Sequence, residues 1–157
     1  MLLTEEDLDP GSLLADLQPG ADVAVINASG RRSPLGVAGQ VQDFARGAMD
    51  DALERAGLGC AVRVDLTETD RDLEGIVAWA AHHRFEQLVT PYTPVGPAAE
   101  AMSTLTEALA ERRIRLVPIM REYDRRAWPH ATRGFFPFRK KIPALVRSIV
   151  GPGSSAA

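Results

Sequence analysis

The polar loop at residues 27–36 holds the side chains best suited to bind an anion. It combines an amide, hydroxyls and adjacent guanidinium groups with a glycine that lets backbone N–H groups approach a ligand. If a helix follows, its N-terminus adds further donors for a phosphate. The loop is neither a Gly-x-Gly-x-x-Gly fingerprint nor a P-loop, so a flexible polar connection is the alternative. The predicted cofactor-binding residues in this loop are Asn27, Ser29, Gly30, Arg31 and Arg32.

A second candidate loop covers residues 90–97 and reads T-P-Y-T-P-V-G-P. Its three prolines fix several φ angles, so a loop placed after a strand could shape a rigid pocket. Tyr92 and Thr93 are the predicted cofactor contacts. A strand-to-helix turn uses the same residue types, with Thr93 or Gly96 as the helix cap, and this is the alternative.

Residue types that perform catalysis are sparse elsewhere. His82 and His83 are adjacent and His130 is remote, which is not a metal-binding spacing. No serine lies in a Gly-x-Ser-x-Gly elbow. The single cysteine, Cys60, supports neither a disulfide framework nor a cysteine metal cluster, and we expect it to begin a buried strand. The sequence therefore predicts no catalytic residue and no metal site.

Residues 120–143 concentrate aromatic and basic side chains. The segment holds one of the two tryptophans, one of the two tyrosines and three of the five phenylalanines. Prolines and arginines around Trp128 argue against regular structure there. Aromatic and arginine side chains anchor protein interfaces, so we expect a partner-binding surface, with packing under the chain's own last helix as the alternative. The predicted partner-binding residues are Trp128, His130, Arg133, Phe135, Phe136, Phe138 and Arg139.

The same part of the chain carries the positive charge. The whole chain has a net charge of −3, but residues 121–150 contain 8 Lys/Arg and 2 Asp/Glu, a balance of +6. Such a stripe could face phosphates or an acidic partner, and a solvated surface is the alternative. Nucleic-acid binding is the weakest of these interpretations, because the stripe is short and the chain as a whole is negative.

The spacing of apolar residues predicts the strands and helices that position these loops. Short apolar runs bounded by turn residues predict buried strands at 23–27, 61–66, 87–92 and 115–120. Helical spacing covers 37–53, 73–80, 98–109 and 139–150, with Gly57 as a helix stop and Pro97 in a first helical turn. This alternation predicts an α/β fold: a Rossmann-like, doubly wound parallel sheet of about four to five strands with flanking helices.

Composition and segment character give the predicted domain boundaries. With 45% hydrophobic and 25% charged residues, the chain is typical of a globular protein. We predict an N-terminal helical lead-in at 1–20, opened by a Thr4-x-x-Asp7 capping pattern, then one α/β domain at 21–150 and a disordered tail at 151–157. We expect no membrane segment, because no apolar run is long enough. The acidic N-terminus argues against a signal peptide, so a cytoplasmic location is predicted.

Three stretches carry a resemblance to a known family. They are Ile-Val-Ala-Trp-Ala-Ala, Leu-Val-Thr-Pro-Tyr-Thr-Pro-Val-Gly-Pro, and Tyr-Asp-Arg-Arg-Ala-Trp-Pro-His-Ala-Thr-Arg-Gly-Phe-Phe-Pro-Phe-Arg-Lys-Lys-Ile-Pro. Over residues 76–146 the chain resembles the N-terminal α/β domain of photolyase/cryptochrome-like flavoproteins, also described as deoxyribodipyrimidine photolyase-like. The aromatic-Pro-His block with Gly-Phe-Phe-x-Phe is the specific part of the resemblance.

The resemblance implies a binding role. In that family the α/β domain lies beside a helical domain that holds FAD and performs DNA repair, and some members carry a folate, deazaflavin or flavin antenna chromophore. The chain ends at Ala157, so we expect a domain that is non-catalytic alone and docks with a helical FAD-binding domain or a second copy. Asn-Ala-Ser-Gly-Arg-Arg-Ser stands where the family has an Arg-Asp-Leu-Arg type of sequence, which weakens the implied antenna site. A small Rossmann-like protein that binds ATP or a dinucleotide is the alternative.

Overall fold

The structure, a computed structural model, describes residues 1–11, 22–66 and 70–150. Its strands are β1 (Leu2–Thr4), β2 (Asp22–Asn27), β3 (Gly59–Asp65), β4 (Gln87–Pro91) and β5 (Arg115–Ile119). Its helices are α1 (Gly39–Ala56), α2 (Glu74–His82), α3 (Pro97–Glu111), α4 (Glu122–Ala127), α5 (Phe135–Arg139) and α6 (Ile142–Val150), with 3₁₀ turns at Ser29–Arg31, Asp70–Leu73 and Trp128–His130. Two compact units divide the chain, Met1–Ile119 and Met120–Ala157.

The first unit is α/β with parallel strands, as the sequence predicts. β2 pairs in parallel with both β1 and β3, and β4 pairs in parallel with β5. The prediction of one sheet of four to five strands is not met by the hydrogen bonding. The described strands form a three-stranded sheet, β1-β2-β3, and a two-stranded sheet, β4-β5. β1 is only three residues long, and no backbone ladder joins it to β4 although the two strands are in contact.

Alternating side chains of β1 and β2 point to two apolar clusters, one on each face of the sheet. Leu3, Val23 and Val25 pack with Met49 and Leu53 of α1. The opposite cluster contains Leu2, Ala24 and Ile26 together with residues of α2, β4 and α3. Both faces are therefore covered, which is why β2 is an almost continuous apolar run.

Helix α1 ends where the sequence predicts but buries less than predicted. Gly57 has φ 63°, and the N–H groups of Gly57 and Leu58 bond to carbonyls of the last helical turn. A residue with a side chain is strained at this φ, so glycine fits the stop. Val41 and Phe44, which belong to the predicted apolar stripe, are 48% and 76% exposed. The prediction was wrong for these two positions because helical spacing cannot show how wide a face the core covers.

The beginning of the chain differs from its prediction. Thr4 was expected to cap a helix, but it ends strand β1, and its carbonyl accepts a hydrogen bond from the N–H of Asp7. The pairing of Leu2, Leu3 and Thr4 with β2 outweighs the local capping pattern. The part of the predicted helical lead-in at 12–20 lies outside the described residues. The predicted boundary at 150/151 adjoins residues 151–157, which are also outside them, so both domain boundaries stay predictions.

Trp79 and Cys60 differ in burial, and the prediction that Cys60 begins a buried strand is wrong about its burial. Trp79 lies in the core, where its ring meets Phe85 edge-on at 5.1 Å. Cys60 lies in β3, but it is exposed. β3 hydrogen-bonds only to β2 among the described strands, and its first residues lie outside the packed core.

The second unit is more regular than the sequence predicts. Helix α4, the 3₁₀ turn at Trp128–His130 and helix α5 cover most of the segment expected to be irregular. Pro129 and Pro137 lie in first turns, where the missing N–H has no intrahelical partner to lose. Gly134, at φ 84°, lets the chain turn into α5. The predicted helix at 139–150 begins at Ile142, and Lys141 donates its N–H to the carbonyl of Phe138 to close the turn before it.

Candidate functional site

The carboxyl end of β2 is held by a polar network. Asn27 is buried; its Nδ2 donates to Oδ1 of Asp65 at 2.7 Å, and its Oδ1 accepts from the N–H of Ser29 at 3.1 Å. Asp65, at the end of β3, also accepts from Nε of Arg46 with both carboxylate oxygens at 3.2 Å. The predicted ligand contact Asn27 thus has both functions of its amide engaged inside the protein.

Ser29, Gly30 and Arg31 form a 3₁₀ turn directly after this strand. Ser29 is 2% exposed, and its hydroxyl oxygen has no hydrogen-bond partner among the described residues. At Gly30 a Cβ would lie 3.2 Å from the carbonyl oxygen of Leu66, so the glycine permits a close approach of two backbones. Arg31 ends the turn and is half-buried. A side chain here would therefore crowd the Leu66 carbonyl, so glycine suits the packing as well as access by a ligand.

Two carboxylates that the sequence analysis did not include occupy the predicted anion site. Oε2 of Glu5 accepts from the N–H of Ala28 at 2.9 Å, and its Oε1 lies 3.3 Å from Nη2 of Arg32. Glu6 is also paired with Nη2 of Arg32, at 3.5 Å. The side chain of Glu5 is only 4% exposed. The loop's backbone donor and the Arg32 guanidinium therefore already bind internal carboxylates.

The two carboxylates also act on each other. Burial raises the pKa of Glu6, the neighbouring Glu5 carboxylate raises it further, and Arg32 lowers it. Both glutamates follow the three-residue strand β1, which has too few residues for an alternating pattern to be recognised. The acidic pair in Thr4-Glu5-Glu6 is the available signal, but after a Thr4-x-x-Asp7 capping pattern it predicts the first turn of a helix.

Tyr92 and Thr93 lie at a different pocket. This pocket, of about 240 Å³, is bounded by the end of β4, by α3 and by β5. Its lining combines hydroxyl groups with apolar side chains: Thr90, Tyr92, Thr93, Ala99, Met102, Ser103, Thr106, Leu116 and Pro118. The Thr93 hydroxyl donates to the carbonyl of Pro91 at 3.4 Å and does not cap α3, whose cap residue is Gly96. The pocket lining includes none of the residues predicted in the 27–36 loop.

The predicted partner-binding residues are largely at the surface of the second unit. Trp128 is 45% exposed, Phe135 61% and Phe136 74%. The rings of Phe135 and Phe136 meet edge-on at 5.7 Å. His130, Arg133 and Arg139 are exposed, and Phe138 is half-buried. The alternative prediction, packing under the chain's last helix, therefore does not bury Phe135 or Phe136.

A pocket of about 330 Å³ lies within this unit, between the 3₁₀ turn and α5. Its lining joins two prolines, a threonine and three basic residues: Pro129, His130, Thr132, Arg133, Pro137 and Lys141. We call it the anion pocket. His130 and Arg133 were predicted as partner contacts, whereas Lys141 was recognised only as part of the basic stripe.

Other features of the first unit have weaker functional signals. A groove of about 880 Å³ between α2 and α3 is lined by apolar and polar residues in equal number, and Glu74, His82, Thr104, Glu111 and Arg112 are the polar ones. His82 meets His83 edge-on at 5.2 Å, and His83 stacks on Phe85. Within residues 1–11, 22–66 and 70–150, no three His, Cys, Asp or Glu side chains are grouped so that they could hold a metal ion.

Comparison of the chain with protein-family models, with curated proteins and with solved structures gave no match. Among the helices that the structure describes, none combines the length and the apolar character needed to cross a bilayer.

Proposed function

We propose that this chain is a photolyase/cryptochrome-like α/β domain that functions by binding and has no catalytic activity of its own. Its partner is a helical FAD-binding domain, and any DNA-repair chemistry belongs to that partner. The resemblance over residues 76–146 motivates the proposal. The observation that carries it is the exposure of Trp128, Phe135 and Phe136, which we call the docking surface. The predicted cytoplasmic location is retained as part of the proposal.

The docking surface has the composition of an interface centre. Its three large rings are between 45% and 74% exposed, and they lie within nine residues of one another in the sequence. Arg133 and Arg139 are close to the phenylalanines in the sequence and form no ion pair with another described residue. Tryptophan and arginine are enriched among the residues that dominate binding energy, and exposed aromatic rings gain most when a partner covers them.

A Rossmann-like sheet is the finer part of the fold proposal. We infer the strand order β3-β2-β1-β4-β5. Contact between β1 and β4 supports it, as does the apolar cluster that extends from Ala24 through Leu2 to Leu88. In this order the direction of winding changes between β1 and β4, where ligands of such sheets bind. Glu6 and Gly96 lie close together at this point, because a Cβ at Gly96 would be 3.8 Å from Oε1 of Glu6.

An antenna chromophore, if present, would use the pocket at Tyr92 and Thr93. Its volume of about 240 Å³ is below the roughly 300–1,000 Å³ of pockets that hold a drug-sized ligand, so a folate, deazaflavin or flavin would extend beyond it. The test is the near-ultraviolet and visible absorption spectrum of freshly purified protein and of the supernatant after denaturation. A released chromophore band supports the antenna role, and a colourless protein rejects it while leaving the docking proposal in place.

The alternative is a small protein that binds ATP or a dinucleotide through residues 27–36. The buried Ser29 hydroxyl without a partner and the close backbone approach at Gly30 favour it. The pairing of Arg32 with Glu5 and Glu6 opposes it, because a phosphate would have to displace two carboxylates. Calorimetric titration with ATP tests this alternative. If ATP binds at residues 27–36, Ser29→Val and Arg32→Gln should each abolish the heat of binding, and substitutions in the second unit should leave it unchanged.

The docking proposal is tested with a photolyase-type FAD-binding helical domain expressed without its own α/β domain. We expect a complex that Trp128→Ala and Phe136→Ala each weaken by about 2 kcal/mol, or roughly 30-fold in Kd. The measurement is calorimetric titration of the helical domain into the full chain. Sedimentation velocity of the chain alone tests the other occupant, a second copy.

Phe44→Ala is the matched control. Phe44 is 76% exposed on α1 and Phe136 is 74% exposed on α5, so both substitutions remove a similar solvent-facing ring. Phe44→Ala should leave the complex intact. The docking proposal is wrong if Trp128→Ala and Phe136→Ala fold normally, as judged by circular dichroism, and leave the affinity unchanged. A dimer of the chain that is lost in Phe136→Ala would identify the second copy as the occupant.

A further inference from the structure

The anion pocket is built from two rigid turns that bring basic side chains to one cavity. The N–H of Ala131 bonds to the carbonyl of Trp128 at 2.9 Å, which closes the turn that carries His130. The N–H of Lys141 bonds to the carbonyl of Phe138 at 2.7 Å, which fixes the backbone of the opposite wall. Pro129 and Pro137 supply the walls with fixed φ angles. Backbone hydrogen bonds therefore hold the chain on both sides of the cavity.

The charge in this pocket is not paired with a carboxylate of the described residues. None of its six lining residues is a carboxylate. Arg133 and Lys141 form no ion pair with another described residue. Of the two acidic residues at positions 121–150, Glu122 is already paired with Arg125 and Arg126. Arg139 and Lys140, next to Lys141 in the chain, add further positive charge, so the pocket lies in the most basic part of the molecule.

The hydrogen-bond donors in the lining indicate which kind of anion the pocket would bind. Arg133 offers a planar set of donors, Lys141 an ammonium group, Thr132 a hydroxyl and His130 an imidazole N–H. A terminal phosphate has three free oxygens and can accept from several donors at once, whereas a phosphodiester in a nucleic-acid backbone has two. Charge-assisted bonds from arginine and lysine to phosphate are among the stronger hydrogen bonds in proteins.

We propose that the anion pocket binds the terminal phosphate of a small phosphate monoester. The rings of the docking surface, Trp128, Phe135 and Phe136, are absent from the pocket lining, although the lining includes Arg133, which is close to those rings in the sequence. The pocket recognises its ligand by charge and hydrogen bonds. If no phosphate binds there, the docking proposal is unaffected. Conversely, loss of docking in Phe136→Ala leaves the phosphate site in place.

The test uses the full chain, with inorganic phosphate and AMP as probes, followed by calorimetry and by ³¹P NMR at low ionic strength. Both probes should bind, and Arg133→Gln and Lys141→Gln should each weaken binding by about tenfold, as expected for one charge-assisted hydrogen bond. Thr132→Val, which keeps the side-chain shape and removes the hydroxyl, should weaken it by a smaller factor. Circular dichroism checks that each variant folds.

Arg147→Gln is the matched control, since Arg147 is an exposed arginine of the same unit, outside the pocket lining and without an ion pair to another described residue. It should leave phosphate affinity unchanged. The proposal is overturned if neither probe binds at millimolar concentration, or if Arg147→Gln weakens binding as much as Arg133→Gln. A single-stranded oligonucleotide without terminal phosphates separates the sources: if it binds more tightly than AMP, with equal losses in both variants and a steep salt dependence, the surface binds phosphodiesters and the monoester proposal is wrong.

Discussion

The 27–36 loop of the first unit and the 128–141 segment of the second contain the same anion-binding residue types, arginines with a hydroxyl and a glycine. Their surroundings differ. In the loop, Glu5 bonds to the N–H of Ala28 at 2.9 Å, and both Glu5 and Glu6 pair with Arg32. In the segment, Arg133 and Lys141 line a cavity without a carboxylate. The difference shows that an arginine in a polar loop indicates an anion site only if the protein has not already supplied the anion.

The arginines of the two regions therefore have different roles: one is paired inside the protein, and the other is exposed to ligands. Arg32, in the loop after β2, forms ion pairs with Glu5 and Glu6, which follow β1. Its charge therefore stabilises the packing of these two segments. The side chains of Arg133 and Lys141 are exposed and form no ion pair with another described residue, so their charge remains accessible to a ligand. Substitutions should therefore affect stability in the first unit and binding in the second.

Glu5→Gln should give the largest effect. The side chain of Glu5 is 4% exposed and accepts from both Ala28 and Arg32, so removing its charge leaves the guanidinium without its best-buried partner. We expect the free energy of unfolding to fall by about 2 kcal/mol, measured by urea denaturation. Glu54→Gln, on the exposed side of α1, is the control and should change stability by less than about 0.5 kcal/mol. An equal effect of the two substitutions would contradict a structural role for Glu5.

Arg32→Gln and Arg133→Gln should give opposite results in two measurements. Arg32 is 51% exposed, so its loss should lower stability by only about 1 kcal/mol and leave phosphate affinity unchanged. Arg133→Gln should lower phosphate affinity and change stability by less than about 0.5 kcal/mol. Urea denaturation and phosphate titration of both variants provide the measurements. If Arg32→Gln also weakens phosphate binding, the 27–36 loop is an anion site despite its internal carboxylates.

Glu6→Gln should give the smallest effect and one that depends on pH. Because the pKa of Glu6 is raised in the fold, the folded protein binds its proton more tightly than the unfolded chain. Its contribution to stability therefore falls as pH rises above the ordinary glutamate value of 4.5. We expect Glu6→Gln to remove this part of the stability–pH curve, a change of about 0.5 kcal/mol. A curve from pH 4 to 7 that is parallel to the wild type would show that Glu6 does not titrate in this way.

Much of the first unit could be predicted from local patterns. The apolar runs that become β2 and β4 are short and bounded by turn residues, Gly57 stops α1, and Pro97 begins α3. These signals are local because each depends on the backbone preference of one residue or on the spacing of neighbours in one element. The short strand β1 has no such signal, since it is stabilised by pairing with β2 about twenty residues away.

The candidate sites were only partly predictable for a related reason. The sequence identified Asn27, Ser29, Gly30 and Arg32 as polar groups near a strand end, and it identified Trp128, Phe135 and Phe136 as surface anchors. It did not identify Glu5 as the partner of Ala28 and Arg32, or Asp65 as the partner of Asn27. These partners come from other strands, and their distance along the chain carries no pattern.

The sequence by itself determined the alternation of strands and helices, the stops at glycine and proline, and the concentration of aromatic and basic residues after residue 120. These properties follow from side-chain periodicity, backbone preference and composition, all of which are local. Only the tertiary structure decided which charges are neutralised and which are accessible, because that depends on which strand ends meet. It made Arg32 part of the protein's internal bonding through Glu5 and Glu6, and it grouped His130, Arg133 and Lys141 around one cavity.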